Sequence, residues 1–438
     1  MRDLVKKLIP KSLFRLIEPY GHWGEAVLAN IRYGFPARGL QVIGVTGTDG
    51  KTTTATLITT MLRQAGYKVG MMTTISIDLG KGPEPNPTRL TTITAFDLMR
   101  NIKRIKDSGV EWLVLETTSH ALAQHRVWGV PYSVAVMTNV THEHLDYHGT
   151  FEHYRDAKWR LFKLAGSNAN GLQAGIVNAD DPSGELFASS VKRPVRYGIT
   201  HGDLLATDIK VTAKGSNFHA RLGQQQLDLK VNLPGSFNVY NALAAAGVGL
   251  TVGLTPDQVE DGIAALKNVE GRMNTIDEGQ DFSVIVDYAH TPDSFEKVFK
   301  EIRPLTKGRL IAVFGSAGRR DKAKRAEQGE IAGRYCDVVI ATEEDDRDED
   351  GLAILHEIGE GAKKAGKVLN HSLYLIHPRG QAIKAAVENA EAGDSILLLG
   401  KGHEKSIETD WVNRPGYKKP WDEAAEARQA LKLRKAKA

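Results

Sequence analysis

Leu40-Gln-Val-Ile-Gly-Val-Thr-Gly-Thr-Asp-Gly-Lys-Thr-Thr53 is the stretch on which the fold turns. Leu40–Val45 is an apolar run that reads as a buried strand, and it feeds directly into a glycine-rich turn. Beyond the turn, Leu57, Ile58, Met61, Leu62 and Ala65 recur on one helical face, with Gly66 as the stop. A strand, a glycine turn and a helix in that order form a phosphate site. Glycines let backbone N–H groups face an anion, and the helix N-terminus adds partial positive charge. Gly47, Thr48, Asp49 and Gly50 then cradle a polyphosphate, Lys51 neutralises its β- and γ-phosphates, and Thr52, followed by Thr53, offers a hydroxyl to Mg²⁺. The strict Walker spacing is not met, because Val45 stands where its first glycine would be. A chance Gly-Lys-Thr turn is the bland alternative, and the strand–turn–helix context weighs against it.

Working outward, Trp112–Leu115 and Val134–Met137 are further apolar strands separated by helical patterns, which indicates a parallel sheet covered on both faces. Residues 203–233 alternate in short runs broken at Lys214-Gly215 and Gly223, which predicts a small antiparallel sheet. A second strand–helix series follows, with strands at Val284–Val286, Leu310–Phe314, Val338–Ala341 and Ile396–Leu399, and it reads as a Rossmann-like domain. The expected fold is therefore α/β: a basic helical segment over 1–39, a P-loop ATPase domain over 40–270 and a Rossmann-like domain over 271–438, with a hinge near Gly271. The tail after Ala424 is predicted to be a basic, solvated helix.

The 438 residues are 41% hydrophobic and 25% charged, ordinary for a globular chain of two or three domains. A lone cysteine, Cys336, excludes a disulfide framework and a cysteine zinc site, and it fits a reducing cytoplasm. The net charge of +4 gives no reason to expect nucleic acid. Residues 1–40 carry seven Lys or Arg against three acids, with Leu4, Leu8, Leu13, Phe14 and Ile17 at near-helical spacing and Pro10 as a break. This segment either packs on the first domain or lies on an anionic membrane surface.

Glu116 ends a predicted strand, where ligands bind in doubly wound sheets, and a carboxylate facing triphosphate suits Mg²⁺; the alternative is a surface glutamate. His142, His144 and His148 sit with two acids in Thr138-Asn-Val-Thr-His-Glu-His-Leu-Asp-Tyr-His-Gly-Thr150. That spacing leaves open a transition-metal cluster, a magnesium ligand and a plain polar loop. Lys158 reads by itself as an exposed helical lysine.

The stretch Gly44–Thr53 resembles the ATP loop of the Mur ligases, and the resemblance runs from about residue 40 to 425. Leu115-Glu-Thr-Thr-Ser-His-Ala-Leu122 is similar to the third-residue-adding members. The resemblance implies an ATP-dependent ligase that activates a carboxylate as an acyl phosphate and adds diaminopimelate or lysine to a muramoyl-dipeptide-type peptidoglycan precursor. It implies two Mg²⁺ ions held by Thr52, Glu116, His144 and a carbamylated Lys158, with Lys51, Glu116, His144 and Lys158 as the catalytic set. It places Asn139, Asn238 and Asn241 near adenine, Asp287 on ribose, and Arg272 and His290 by the phosphates; as a helix cap, Asn238 has a simpler role. Ser119 and Arg126 would hold the peptide acceptor, with Thr91 and Thr92 in its loop. Arg325, Asp345, Arg347, Gly400, Lys401 and Glu404 would face the incoming amino acid, and Arg347 could pair with a carboxylate in bidentate fashion. No nucleophilic side chain is required.

Two departures matter. Glu344-Asp345-Asp346-Arg347 stands where diaminopimelate-adding enzymes read Asp-Asn-Pro-Arg, which makes the site more acidic; a solvated acidic loop is the plain reading of the same run. Ile93 replaces a proline in Pro87-Thr-Arg-Leu-Thr-Thr-Ile93. The ATP loop also comes within the first fifty residues, ahead of any room for a UDP-sugar domain, so a lipid-linked acceptor reached through residues 1–36 competes with a UDP-linked one. A folate polyglutamate ligase and a silent ATP-binding subunit are the alternatives. The chain is expected to be a cytoplasmic monomer, peripheral at the membrane if its N-terminal segment binds there.

Overall fold

Strands buried on both faces carry unbroken apolar runs, and two sets of them build two units. The computed structural model describes residues 11–80, 82–85, 93–212, 214–411 and 414–437. Residues 1–10, with Leu4, Leu8 and Pro10, lie outside these, as do residues 87–92, with Thr91 and Thr92. One unit takes in the chain to Lys210 with Asn217–Val231 and Phe237–Leu266; the other takes Val211–Ser216, Asn232–Ser236 and the chain from Lys267.

In the first unit, β1 (Gln41–Thr46), β2 (Val69–Met72), β3 (Ser76–Asp78), β4 (Pro83–Pro85), β5 (Trp112–Glu116), β6 (Tyr132–Met137), β7 (Ala174–Asn178), β8 (Arg193–Gly198), β9 (Leu204–Thr212), β10 (Gly215–Leu222) and β11 (Gln225–Val231) join in one sheet. Its order is β11-β10-β9-β8-β7-β6-β1-β5-β2-β3-β4. β1 lies between β5 and β6, parallel to both, and Val42, Ile43 and Val45 are fully buried. The glycine turn after β1 therefore emerges near the middle of the sheet. The strands expected over 203–233 are found as β9, β10 and β11, and they join the main sheet rather than standing apart from it. β9 pairs with β8 through Tyr197–Leu204 and Gly198–Leu205, so these strands continue the main sheet and cover an otherwise open edge.

The first helix, Lys11–Tyr33, puts Ala26 and Ala29 into the core, and Asn30 Nδ2 donates to the Trp128 carbonyl at 2.8 Å. The helix Lys51–Gln64 ends before Gly66, whose φ of 91° suits the reversal there.

In the second unit, β12 (Asn274–Thr275), β13 (Ser283–Asp287), β14 (Leu310–Phe314), β15 (Val338–Thr342), β16 (Leu373–Ile376) and β17 (Ser395–Leu399) take the order β12-β13-β17-β14-β15-β16. All of these pairs are parallel except β12 with β13. β18 (Ser406–Trp411) and β19 (Arg414–Pro420) form an antiparallel hairpin. The C-terminal helix, Glu423–Lys437, is not a solvated tail. Ala427, Ala430 and Leu431 are buried in the core beside β13 and β17 residues. Fully buried Glu423 also accepts from Arg379 Nε and Nη2, at 2.9–3.0 and 2.6 Å, and from Trp421 Nε1 at 2.6 Å.

Candidate active site

The carboxyl ends of β1, β2, β5 and β6 meet around residues 47–53. Helix Lys51–Gln64 starts from Gly50, in left-handed conformation at φ 79°, with no side-chain cap on its first turn. A Cβ on Gly50 would lie 2.3 Å from Asn241 Oδ1, and one on Gly47 would lie 1.8 Å from Thr138 Oγ1. Both glycines are therefore required by close approach as well as by backbone conformation. The loop is braced from several sides. Thr48 N–H donates to the Asn139 carbonyl (2.9 Å), Asp49 N–H to Asn139 Oδ1 (2.9 Å), and Thr138 Oγ1 to the Asp49 carbonyl (2.6 Å). Asn241 Oδ1 accepts from Thr54 Oγ1 (3.2 Å) while its Nδ2 donates to Asn238 Oδ1 (2.9 Å). Asn139 and Asn241 thus lie against the phosphate loop, and Asn238 supports Asn241 from behind.

Lys51 Nζ donates to the carbonyls of Gly47 (3.0 Å) and Thr48 (2.7 Å), so its charge is folded back over the loop. Thr52 Oγ1 donates to Glu116 Oε2 at 2.8 Å; Thr74 gives that carboxylate a backbone N–H at 3.1 Å and a hydroxyl at 3.0 Å. Glu116 is buried at the end of β5, held only by neutral donors in these contacts. Thr53 is buried on the first helical turn.

Lys158 is not the exposed lysine that its sequence context suggests. It is 2% accessible, donates to the Gly47 carbonyl at 2.6 Å and lies 4.4 Å from the centre of the Tyr154 ring. Burial, followed by the nearby Lys51 charge, holds its pKa well below the ordinary lysine value. Tyr154 links the group together. Its hydroxyl pairs with Thr48 Oγ1 at 2.9 Å, and its ring lies 6.1 Å from His144 and 5.3 Å from His148.

His144 and His148 both pack on the rings of His120 and Tyr154, while His142 lies against Phe151, and the three do not bring ligand atoms together. His142 stacks on Phe151 (4.7 Å), His144 packs edge-on against His120 (4.9 Å), and His148 Nε2 meets Ser119 Oγ at 3.0 Å. A single transition-metal cluster in 142–148 is therefore absent among the described residues. His144 occupies a left-handed position (φ 55°), is half exposed and has Glu143 at 3.7 Å. Ser119 is buried, and Arg126 Nη1 reaches the Ile93 carbonyl at 3.5 Å. Tyr154 and Thr74 carry no local signal in the sequence; only the approach of distant elements reveals them.

In the second unit, strand ends again gather the polar groups. Asp287 is buried at the end of β13 and accepts from Met273 N–H (2.7 Å) and Ala289 N–H (2.8 Å). Burial raises its pKa and Arg272 opposes that shift. Arg272 lies over the Tyr288 ring at 5.0 Å, and His290 Nδ1 is 2.9 Å from the Tyr288 carbonyl. Lys401 is fully buried; its Nζ donates to Asp345 Oδ1 at 2.9 Å and to Glu404. Gly400, at φ 100°, lies against Glu344. Glu344 is buried and its pKa is raised for that reason, with Lys401 opposing. Arg347 donates from Nη1 to the Gly318 carbonyl at 2.7 Å and has Glu408 at 3.6 Å. Arg325 is different from what was expected. It is fully buried and pairs with Glu357 (2.9 Å) and Glu349 (3.0 Å), so its charge is neutralised within the unit.

Comparison with known proteins identifies the family. Residues 45–249 match the Mur ligase middle domain, and residues 271–402 match the Mur ligase glutamate ligase domain. A UDP-N-acetylmuramyl-tripeptide synthetase of Roseiflexus sp. (strain RS-1) is 43% identical over 93% of this chain and 81% of its own. A UDP-N-acetylmuramoyl-L-alanyl-D-glutamate–2,6-diaminopimelate ligase of Geobacillus kaustophilus is 40% identical over 93% and 82%. A solved structure of a ligase of that second name superposes with a TM-score of 0.68 at 30% identity, covering 96% of this chain and 83% of that one. This chain belongs to the Mur ligase family, ATP-dependent enzymes that form carbon–nitrogen bonds.

Proposed function

We propose that this chain adds a diamino acid, diaminopimelate or lysine, to the free carboxylate of a muramoyl-dipeptide-type precursor of peptidoglycan. Support comes from the activities for which the relatives are named, together with one observation: Lys51, Thr52, Glu116 and Lys158 share the mouth of a single phosphate loop. A carboxylate oxygen of the acceptor attacks the γ-phosphorus of ATP and ADP departs. The amine nitrogen then attacks the acyl carbon, phosphate leaves and the amine loses a proton. Both original reactants are anions, so positive charge between them lowers the barrier.

Thr52 Oγ1 and Glu116 fit a magnesium ion, since they are hard oxygen donors already 2.8 Å apart at a strand end. His144, with a carbamylated Lys158, would hold a second. Bound there, magnesium supplies Lewis-acid stabilisation of charge on the transferred phosphoryl group. Lys158 suits carbamylation because burial favours its neutral amine, the form that bonds to CO₂ and releases a proton. Lys51 turns from the loop carbonyls to the γ-phosphate. We assign Asn139, Asn238, Asn241, Arg272, Asp287 and His290 to the nucleotide, Ser119 and Arg126 to the acceptor, and Asp345, Arg347, Gly400, Lys401 and Glu404 to the amino acid.

The test is an amino-acid panel run against UDP-linked and lipid-linked muramoyl dipeptides, with products weighed by mass spectrometry. A mass gain with a diamino acid supports the reading; gain with glutamate on folate, or with nothing, rejects it.

A second reading concerns location. Tyr20, Leu28 and Ile31 stand out from the first helix at 75%, 59% and 61% exposure, within residues 1–40, which carry seven Lys or Arg against three acids. We propose that this apolar stripe rests on an anionic membrane surface. Binding to phosphatidylglycerol vesicles should fall with Leu28→Ser/Ile31→Ser, and unchanged binding rejects the idea. No helix among the described residues is long and apolar enough to cross a membrane.

A further inference from the structure

We infer that Glu343, Asp346 and His377 form a divalent-metal site of the zinc class, separate from the nucleotide magnesium and independent of the ligase reading. Glu343 and Asp346 follow β15, and His377 follows β16, so adjacent parallel strands deliver all three from their carboxyl ends. One ligand atom from each lies within 4.8 Å of the others. His377 Nε2 approaches Asp346 Oδ2 at 2.5 Å, and the Glu343 N–H donates to the His377 carbonyl at 2.9 Å, which fixes the two strand ends together.

Two features go beyond an ion pair. Asp346 is 4% accessible, and its Oδ1 is buried with no hydrogen-bond partner. A buried carboxylate oxygen left in that state is costly unless a cation completes it. Glu343 is also buried, and its carboxylate receives a backbone N–H from Arg379 only at 3.4 Å. Two buried carboxylates and one imidazole offer three donor atoms to a single divalent ion.

The donor set points to the kind of ion. One imidazole and two carboxylates with room for a water is a set used by zinc and its neighbours, whereas magnesium prefers oxygen alone. His377 is about one-third exposed, which gives an ion a way in. Gly351 leaves the pair its space: a Cβ there would lie 2.1 Å from His377 Nε2 and 2.3 Å from Asp346 Oδ2. The ion would tie β15 to β16 and hold the 343–347 loop in place.

The experiment uses the full chain, stripped with chelator and free of nucleotide. Co²⁺ is titrated while its visible absorption is followed, and Zn²⁺ is then added in competition. One equivalent of Co²⁺ should give a four- or five-coordinate spectrum that Zn²⁺ abolishes. His377→Ala should weaken affinity at least tenfold, and the near-isosteric Asp346→Asn should do the same if the first variant folds poorly. The absence of binding at micromolar Co²⁺ overturns the inference, as does equal binding by wild type and a folded variant.

Discussion

Replacing Gly50 by alanine should weaken ATP binding without unfolding the protein. Gly50 sits at φ 79°, where a side chain costs about 1 kcal/mol or more. The new methyl would also lie 2.3 Å from Asn241 Oδ1, so the loop or the amide must move. Moving the amide breaks its bonds to Thr54 Oγ1 and Asn238 Oδ1, each buried and each worth about 1 kcal/mol. Moving the loop misaims the first-turn N–H groups. Either route removes at least about 2 kcal/mol, or roughly 30-fold in affinity. Calorimetric titration with a non-hydrolysable ATP analogue measures this. Asn241→Ala removes the obstructing oxygen, so the double variant should recover about 1 kcal/mol relative to additivity. Wild-type affinity in Gly50→Ala, or strict additivity in the double variant, refutes the claim that this contact sets the loop.

Three further outcomes follow from the same structure. Glu116→Gln keeps the shape that meets Thr52 and Thr74 but loses the charge, so kcat should fall at least about 100-fold, as for loss of a key electrostatic group, with little change in Tm; equal kcat would show the carboxylate to be structural. Lys158 has a folded pKa below the ordinary 10.5, so the unfolded chain binds more protons and wild-type stability should rise with pH towards that value. In CO₂-free buffer the stability gained by Lys158→Met should thus be larger near pH 7 than near pH 10, and a gap that does not narrow in urea titrations contradicts the burial argument. Breaking the fully buried Arg379–Glu423 pair with Glu423→Gln should cost about 3–5 kcal/mol, read as a lower denaturation midpoint; a midpoint within error of wild type would mean that the charge is otherwise compensated.

What the sequence discloses depends on how local the cause is. The phosphate loop is legible because an anion needs glycines, a lysine and a helix start within a few residues, and 44–53 supplies them together. Buried parallel strands such as Leu310–Phe314 are legible because both faces are apolar. β3 and β4 have three residues each, too few for periodicity to register. β8 has exposed and half-buried positions at its start, and its pairing with β9 is a choice made in space. Lys158 and Tyr154 lie on one helical face, but what they touch, Gly47 and Thr48, is over a hundred residues away. Arg379 and Glu423 are separated by 44 positions, and nothing in either neighbourhood announces the other.

The acyl phosphate is the chemical core of the account, and isotope transfer reads it directly. The acceptor is prepared with ¹⁸O in its reacting carboxylate and turned over with ATP and a diamino acid. Attack of that carboxylate on the γ-phosphorus places one ¹⁸O in the inorganic phosphate released with each product. Phosphate free of label, or label recovered in AMP, would show that the carboxylate never takes the γ-phosphoryl group.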